Sequence, residues 1–294
     1  MSGTLFVVGT PIGNLEDITD RARRVLASVD LIAAEDTRRT GRLLKHLGIK
    51  APLVSFFEGN ETQRVPELIR SLRDGADVAV VSDAGMPSVS DPGYRLVAAC
   101  VDEGIAVDVA PGPSAVTAAL VISGLPTDRF VFEGFLPRSG RAREERLAAM
   151  VTEPRTIVLF ESANRLDATL EHLRERCGAK RRIAVVRELT KQHQEVARGS
   201  IGEVSEKLGD RSLKGEIVLV IDGAPSGLEA GDEEKAVETA ERLVSQGARK
   251  REAARRAAEL TGVAANRIYE RLTGHTAEAG SIRSATGRRA DSSE

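Results

Sequence analysis

The sequence predicts an α/β protein: two successive α/β domains followed by a small helical appendage. Three observations carry this expectation. Short apolar runs rich in β-branched residues alternate with amphipathic helical stretches from the first residues to about residue 222. Glycine and proline collect in the loops that follow those runs. Beyond residue 223 the composition turns to Ala, Arg and Glu at helical spacing.

In order, Leu5 to Val8 reads as the first strand, and Val25, Leu26 and Val29 mark the helix after it. Leu31 to Ala34 is a second strand, Leu43, Leu44 and Leu47 a helix, and Pro52 to Phe57 a third strand. A helix around Leu68, Ile69 and Leu72 leads to Val78 to Val81, and Ile105 to Val109 completes a first parallel sheet. A second series runs through Phe130 to Phe132, Thr156 to Phe160, Ile183 to Val186 and Ile217 to Ile221. Two sheets in sequence imply domains over residues 1–118 and 119–225, divided near residues 115 to 125. Gly223 to Asp232 reads as a linker. Helical segments at Glu233 to Ser245, Lys250 to Leu260 and Ala264 to Leu272 form a helix-turn-helix-like module over residues 232–274, and a Gly, Ser, Ala and Arg tail over 275–294 is expected to be disordered.

The 294 residues carry 42 Lys and Arg against 44 Asp and Glu, so any affinity for nucleic acid must be local. One such patch exists: between Arg249 and Thr273 seven cations face three acids. Cys100 and Cys177 exclude a disulfide scaffold and any paired-cysteine metal or redox motif, and both sit at helical apolar positions. No histidine cluster suggests a metal, and the amino-terminal residues run straight into a strand pattern with no signal core or spanning segment. A cytoplasmic protein without metal or membrane partner is expected.

In parallel sheets, ligands bind beyond the carboxyl ends of the strands. Four loops there stand out: Gly9-Thr10-Pro11-Ile12-Gly13-Asn14-Leu15, Glu35-Asp36-Thr37-Arg38, Ser82-Asp83-Ala84-Gly85-Met86-Pro87 with Asp91-Pro92-Gly93, and Pro111-Gly112-Pro113-Ser114-Ala115. The first lacks the third glycine of a dinucleotide fingerprint, and no Gly-Lys-Ser/Thr phosphate loop occurs. A nucleoside ligand without a polyphosphate suits such loops.

These segments, with Phe132-Glu133-Gly134-Phe135-Leu136-Pro137, Phe160-Glu161-Ser162, Arg187-Glu188-Leu189-Thr190-Lys191 and Lys214-Gly215-Glu216, closely resemble the small-subunit ribosomal RNA methyltransferase I family of the tetrapyrrole methylase superfamily. The resemblance implies two α/β domains of the tetrapyrrole methylase type, with S-adenosylmethionine in the cleft between them, and a homodimer. It further implies methylation of the ribose 2′-oxygen of a cytidine in the decoding region of small-subunit (16S) rRNA, free or within the 30S subunit. Met86 stands where the family usually carries Thr, so no polar role is expected of it.

Carried over position by position, the cofactor wall comprises Pro11, Asp83, Gly85, Ser114 and Ala115. Asp83 is the strongest, since an acid at a strand end can accept from the cofactor; capping a helix ahead of Pro87 is its structural alternative. Ser114 also stands where a helix cap belongs. A ribose hydroxyl is a weak acid, so a base helps, and among Glu35, Asp36, Glu188 and Lys191 the choice falls on Asp36 and Glu188. An ion pair with Arg38 or Arg39 competes with that role for Glu35 and Asp36. Arg38, Arg187 and Lys191 are the expected phosphate contacts in the cleft, and Arg249, Lys250, Arg251 and Arg255 those of the appendage. A tetrapyrrole C-methyltransferase and a non-catalytic rRNA-binding assembly factor are the competing readings, since fold alone does not fix function.

Overall fold

The computed structural model describes residues 2–209, 211, 213–224, 230–261, 263 and 265–273. They divide into two compact units on either side of Ala224. The expected tail over 275–294 and residues 225–229 of the expected linker lie outside the described residues, while residues 230–232 of that linker are helical.

The first sheet contains β1 (Thr4–Val8), β2 (Leu31–Ala34), β3 (Leu53–Ser55), β4 (Val78–Val81) and β5 (Ala106–Ala110). All are parallel, in the order β3-β2-β4-β1-β5. Their alternating side chains supply two cores. Val78 and Val80 pack on one face with Leu68, Ile69 and Leu72 of α3 (Glu61–Arg73) and with Leu96 and Cys100 of α4 (Tyr94–Asp102). Ala79 and Val81 pack on the other with Ala22, Val25 and Leu26 of α1 (Asp20–Ser28) and Leu44 of α2 (Thr37–Leu47). The neighbours β1 and β4 therefore feed helices on opposite faces. Such a reversal opens a crevice at the carboxyl ends of the strands.

The second half contains α5 (Ala115–Ser123), β6 (Phe130–Phe135), α6 (Arg141–Thr152), β7 (Thr156–Ser162), α7 (Leu166–Cys177), β8 (Arg182–Arg187), β9 (Glu195–Ser200), α8 (Ile201–Leu208) and β10 (Glu216–Ile221). Its sheet order is β6-β7-β10-β8-β9, and only β6–β7 is parallel. The expectation of parallel architecture as far as residue 222 is thus corrected. Buried apolar runs look alike whichever way the neighbouring strand points.

Strand β9 was not expected. Its sequence Glu-Val-Ala-Arg-Gly-Ser occupies a sheet edge and buries only Ala197, so its alternation is weak. The expected domain boundary at residue 118 falls inside α5. Val116, Ala119 and Leu120 of that helix pack on Val158, Ala184, Val186, Val218 and Val220, so the whole helix belongs with the second sheet and the crossing lies at residues 111–114.

The second unit has α9 (Ala230–Ser245), α10 (Lys250–Thr261) and α11 (Ala265–Thr273) around a core of Ala236, Ala240, Ala253, Ala254, Ala257, Val263 and Ile268. Alanines let the helix axes approach closely. Arg249, Lys250, Arg251 and Arg255 are exposed on it, with Lys250 Nζ donating to the Leu272 carbonyl at 3.0 Å.

Candidate active site

Both sheets contribute to one cleft of about 420 Å³, within the usual range for small-molecule sites. The first supplies Ile12, Glu35, Asp83, Met86 and Asp91, Ser114 stands at the crossing, and the second supplies Ala115, Phe135, Phe160, Leu189 and Val218. A neighbouring hollow of about 590 Å³ is lined by Thr10, Pro11, Gly13, Arg39, Thr40, Arg42, Ser82, Asp83 and Lys191. Asp83 and Arg39 border both.

Backbone approach holds the loops at this distance. Thr10 N donates to the Gly85 carbonyl at 2.9 Å and Gly85 N to that of Thr10 at 3.1 Å. Gly85 has φ of +85°, a conformation that disfavours any side chain. A Cβ on Gly9 would stand 2.7 Å from the backbone of Gly112, so the loops after β1 and β5 meet only as glycines.

The loops after β2 and β4 interlock through two carboxylates. Glu35 Oε2 accepts from Asp83 N at 3.0 Å, and Asp83 Oδ1 accepts from Asp36 N at 3.1 Å. Asp83 Oδ2 lies 3.2 Å from the Arg39 guanidinium. Asp83 is therefore a bridge between loops rather than a helix cap. Burial raises the pKa of Glu35 despite the hydrogen bond from Asp83 N, and the Asp83 charge adds to the rise. Burial also pushes Asp91 up to about 6, with the charges of Glu35 and Asp83 adding and a hydrogen bond to Ser82 opposing. The cleft thus concentrates negative charge beside apolar walls.

The expected bases are placed otherwise. Asp36 caps α2, accepting from Arg38 N at 2.8 Å and Arg39 N at 3.4 Å, and it binds the Arg38 guanidinium through both oxygens. The Arg38 hydrogen bond holds its carboxyl well below the usual range. Glu188 Oε1 accepts from Lys191 Nζ at 2.8 Å and Glu216 N at 3.1 Å, and the Lys191 hydrogen bond lowers its pKa. Neither carboxylate lines the cleft or the hollow. Both are spent on holding backbone and cations.

Of the expected cofactor wall, Asp83, Ser114 and Ala115 line the cleft, Pro11 faces the hollow, and buried Gly85 ties the loops. Ser114 occupies the cap position of α5 without a capping side-chain bond. Lys191 reaches the hollow, but Arg38 and Arg187 line neither space. Arg187 pairs with Glu195 at 3.3 Å and donates to the Lys214 carbonyl, because β9 lies beside β8. Arg38, 87% exposed at its side chain, folds back on Asp36.

The sequence offers Arg39 only as an ion-pair partner of Glu35 or Asp36 and gives no role to Asp91, Arg42, Phe135 or Phe160. Asp91 and the phenylalanines stand in segments singled out as motifs, but nothing along the chain shows that residues 135 and 160 meet residue 91. Met86 lines the cleft with an apolar side chain. Among the described residues, no group of three or more His, Cys, Asp or Glu is placed to hold a metal ion, and no helix is long and apolar enough to cross a membrane.

Two α/β halves closing on an acidic and apolar cleft at a strand-order reversal define the tetrapyrrole methylase class. The family Tetrapyrrole (Corrin/Porphyrin) Methylases matches residues 4–205. Curated relatives called ribosomal RNA small subunit methyltransferase I include one from Thermotoga maritima, 52% identical over 75% of this chain and 99% of its own length. Others come from Mycobacterium tuberculosis strain CDC 1551, 45% identical over 95% and 98%, and Escherichia coli O157:H7, 43% identical over 91% and 94%. The chain belongs to the ribosomal RNA small subunit methyltransferase I family of the tetrapyrrole methylases. Solved structures of the cobalt precorrin-4 methyltransferase CbiF (17% identity, TM-score 0.58, 74% of this chain and 94% of that one) and the uroporphyrin-III C-methyltransferase of Thermus thermophilus (24%, 0.54, 75% and 94%) share the fold.

Proposed function

We propose that the protein transfers a methyl group from S-adenosylmethionine to the ribose 2′-oxygen of a cytidine in the decoding region of 16S rRNA. The observation that carries this reading is the cleft itself, with Glu35, Asp83 and Asp91 beside Ile12, Met86, Phe135 and Phe160. Carboxylates suit the ammonium and sulfonium charges of this cofactor, and the apolar walls suit its uncharged parts. Asp83, Asp91, Ser114 and Ala115 would hold it, while Pro11 and Gly85 shape the two loops beside it.

When bound, the cofactor supplies a methyl already activated by its sulfonium. The protein's task is alignment, worth about 7–11 kcal/mol, and removal of the hydroxyl proton, worth about 10²–10⁴-fold. Glu35 suits proton removal better than Asp36 or Glu188, because burial raises its pKa whereas cations hold theirs down. Asp36 then sets the start of α2, and Glu188 orients Lys191 toward the RNA. Arg249, Lys250, Arg251 and Arg255 of the second unit add phosphate contacts.

A homodimer fits the exposed edge of the first sheet. Tyr94 is 73% and Val101 65% exposed on α4, and Val107 and Val109 are exposed on the edge strand β5. A second copy would cover this apolar stripe and the open strand edge. A cytoplasmic site of action follows from the ribosomal substrate.

The test is incubation of the protein and labelled S-adenosylmethionine with small subunits from a strain lacking the modification, followed by mapping of the labelled ribose. Label at one cytidine ribose supports the reading; no label on the subunits, with label transferred to a tetrapyrrole in a parallel incubation, would establish the competing C-methyltransferase.

A further inference from the structure

We infer that the hollow beside the cofactor cleft seats the target nucleotide of the RNA, with Arg42 binding its phosphodiester. This inference rests on the methyltransferase reading and assigns the substrate side of the same site. The hollow shares Asp83 and Arg39 with the cleft, so a nucleotide in it lies directly beside the methyl donor's site. Buried Thr40 and Ser82 line it, and exposed Arg42 and half-buried Lys191 stand at its border.

The charges around the hollow point to a polyanion. Helix α2 carries Arg38, Arg39, Arg42 and Lys45 and no acid between Thr37 and Leu47. Two of these cations stand in the first turn, where the helix dipole opposes them, and they are held by Asp36 and Asp83. Lys191 is engaged by Glu188 and Glu216. Arg42 differs: among the described residues its guanidinium makes no hydrogen bond or ion pair. It is the cation at the hollow with its donors still available, and a guanidinium matches the oxygens of a phosphodiester through paired N–H donors. Arg39, at the boundary, stands between the two ligands and keeps Asp83 in place.

The experiment measures the binding of a single-stranded RNA oligonucleotide against salt concentration, with steady-state methylation of unmodified small subunits, for the full chain and for Arg42→Ala, Arg42→Lys and Arg42→Glu. Lys207→Glu, an exposed charge reversal on α8, is the control. Loss of one phosphate contact makes the log-log salt slope of Arg42→Ala shallower by about 0.7–0.9 units. Its KM for subunits should rise with kcat at saturation kept, its cofactor affinity should match the wild type, Arg42→Lys should recover most of the slope, and Arg42→Glu should bind more weakly still.

A wild-type slope in Arg42→Ala, or an equal loss in Lys207→Glu, overturns the inference while leaving the methyltransferase reading intact. Weakened cofactor binding in Arg42→Ala also overturns it, since the hollow would then belong to the cofactor. If the wild-type protein methylates no rRNA, the reading fails and the inference with it.

Discussion

Asp83 and Glu35 show how closely two neighbouring carboxylates can differ in task. Asp83 accepts from the backbone of Asp36 and faces Arg39, so its Asp83→Ala variant should lose cofactor affinity and loosen α2 together. Isothermal calorimetry and thermal melting on the same sample check both. Glu35→Gln keeps an acceptor for Asp83 N but removes the carboxylate proposed as the base; single-turnover methylation should fall by about 10²–10⁴-fold with cofactor affinity within a few-fold of wild type. A rate within a few-fold of wild type would leave alignment alone to carry the step. Asp36→Ala removes a helix cap and should lower the melting temperature. Its catalytic loss should remain smaller than that of Glu35→Gln.

Asp91 gives the site a pH dependence with a definite sign. Its folded pKa, about 6, lies above its unfolded value of 3.8, so the unfolded chain ionises first and the group lowers stability as pH rises from about 4 to about 6. Asp91→Asn should therefore raise the melting temperature of the cofactor-free protein at pH 7 and leave it nearly unchanged at pH 4. Binding of a cation favours the carboxylate, so cofactor affinity should increase from pH 5 to 7 and level off above. Calorimetry in buffers of different ionisation enthalpy would detect the proton released at pH 5.5, and the release should vanish in Asp91→Asn.

At the scale of elements, the loop after β8 is a strap. Glu188 and Thr190 have φ of +51° and +64°, unusual for residues with side chains, and Thr190 Oγ1 accepts from Asn14 N of the first half at 3.1 Å. A Cβ on Gly13 would meet Lys191, Thr190 and Leu189 within 2.8 Å. The two halves are thus joined across the cleft where Lys191 enters the hollow, and Gly13→Ala should raise KM for both substrates by displacing the strap. On the opposite border, β5 exposes an edge and apolar side chains together. A charge there should prevent pairing: Val107→Lys with Tyr94→Glu is expected to shift the protein to a monomer in sedimentation, while a monomeric wild type would remove the case for the dimer.

At the scale of the whole molecule, the first unit contains every described residue that lines the cleft and the hollow, and it packs its own cores. The Thermotoga maritima relative aligns over 221 residues, 99% of its length, so a family member of about this unit's size exists. Removal of residues 225–294 should leave cofactor affinity nearly intact and weaken RNA binding. If the basic segment neutralises about four phosphates, the salt slope becomes shallower by about 3 units. An unchanged slope would assign the three helices to packing instead.

What the linear chain determined was the set of elements and the chemistry of their ends. The alternation of Leu5–Val8, Leu31–Ala34 and Val78–Val81 with amphipathic helices requires only local periodicity, and the loop motifs identify the family because their glycines and acids stand in unbroken order. Strand direction in the second sheet, the edge strand β9 and the allegiance of α5 depended on contacts between residues dozens of positions apart. The roles of the acids depended on them too: Asp36 and Glu35 are neighbours in sequence, but one turns to Arg38 at the surface and the other toward Asp83 and Asp91 in the cleft. Burial and partner choice set a carboxylate's proton affinity, and both arise only when β2, β4 and the second sheet come together.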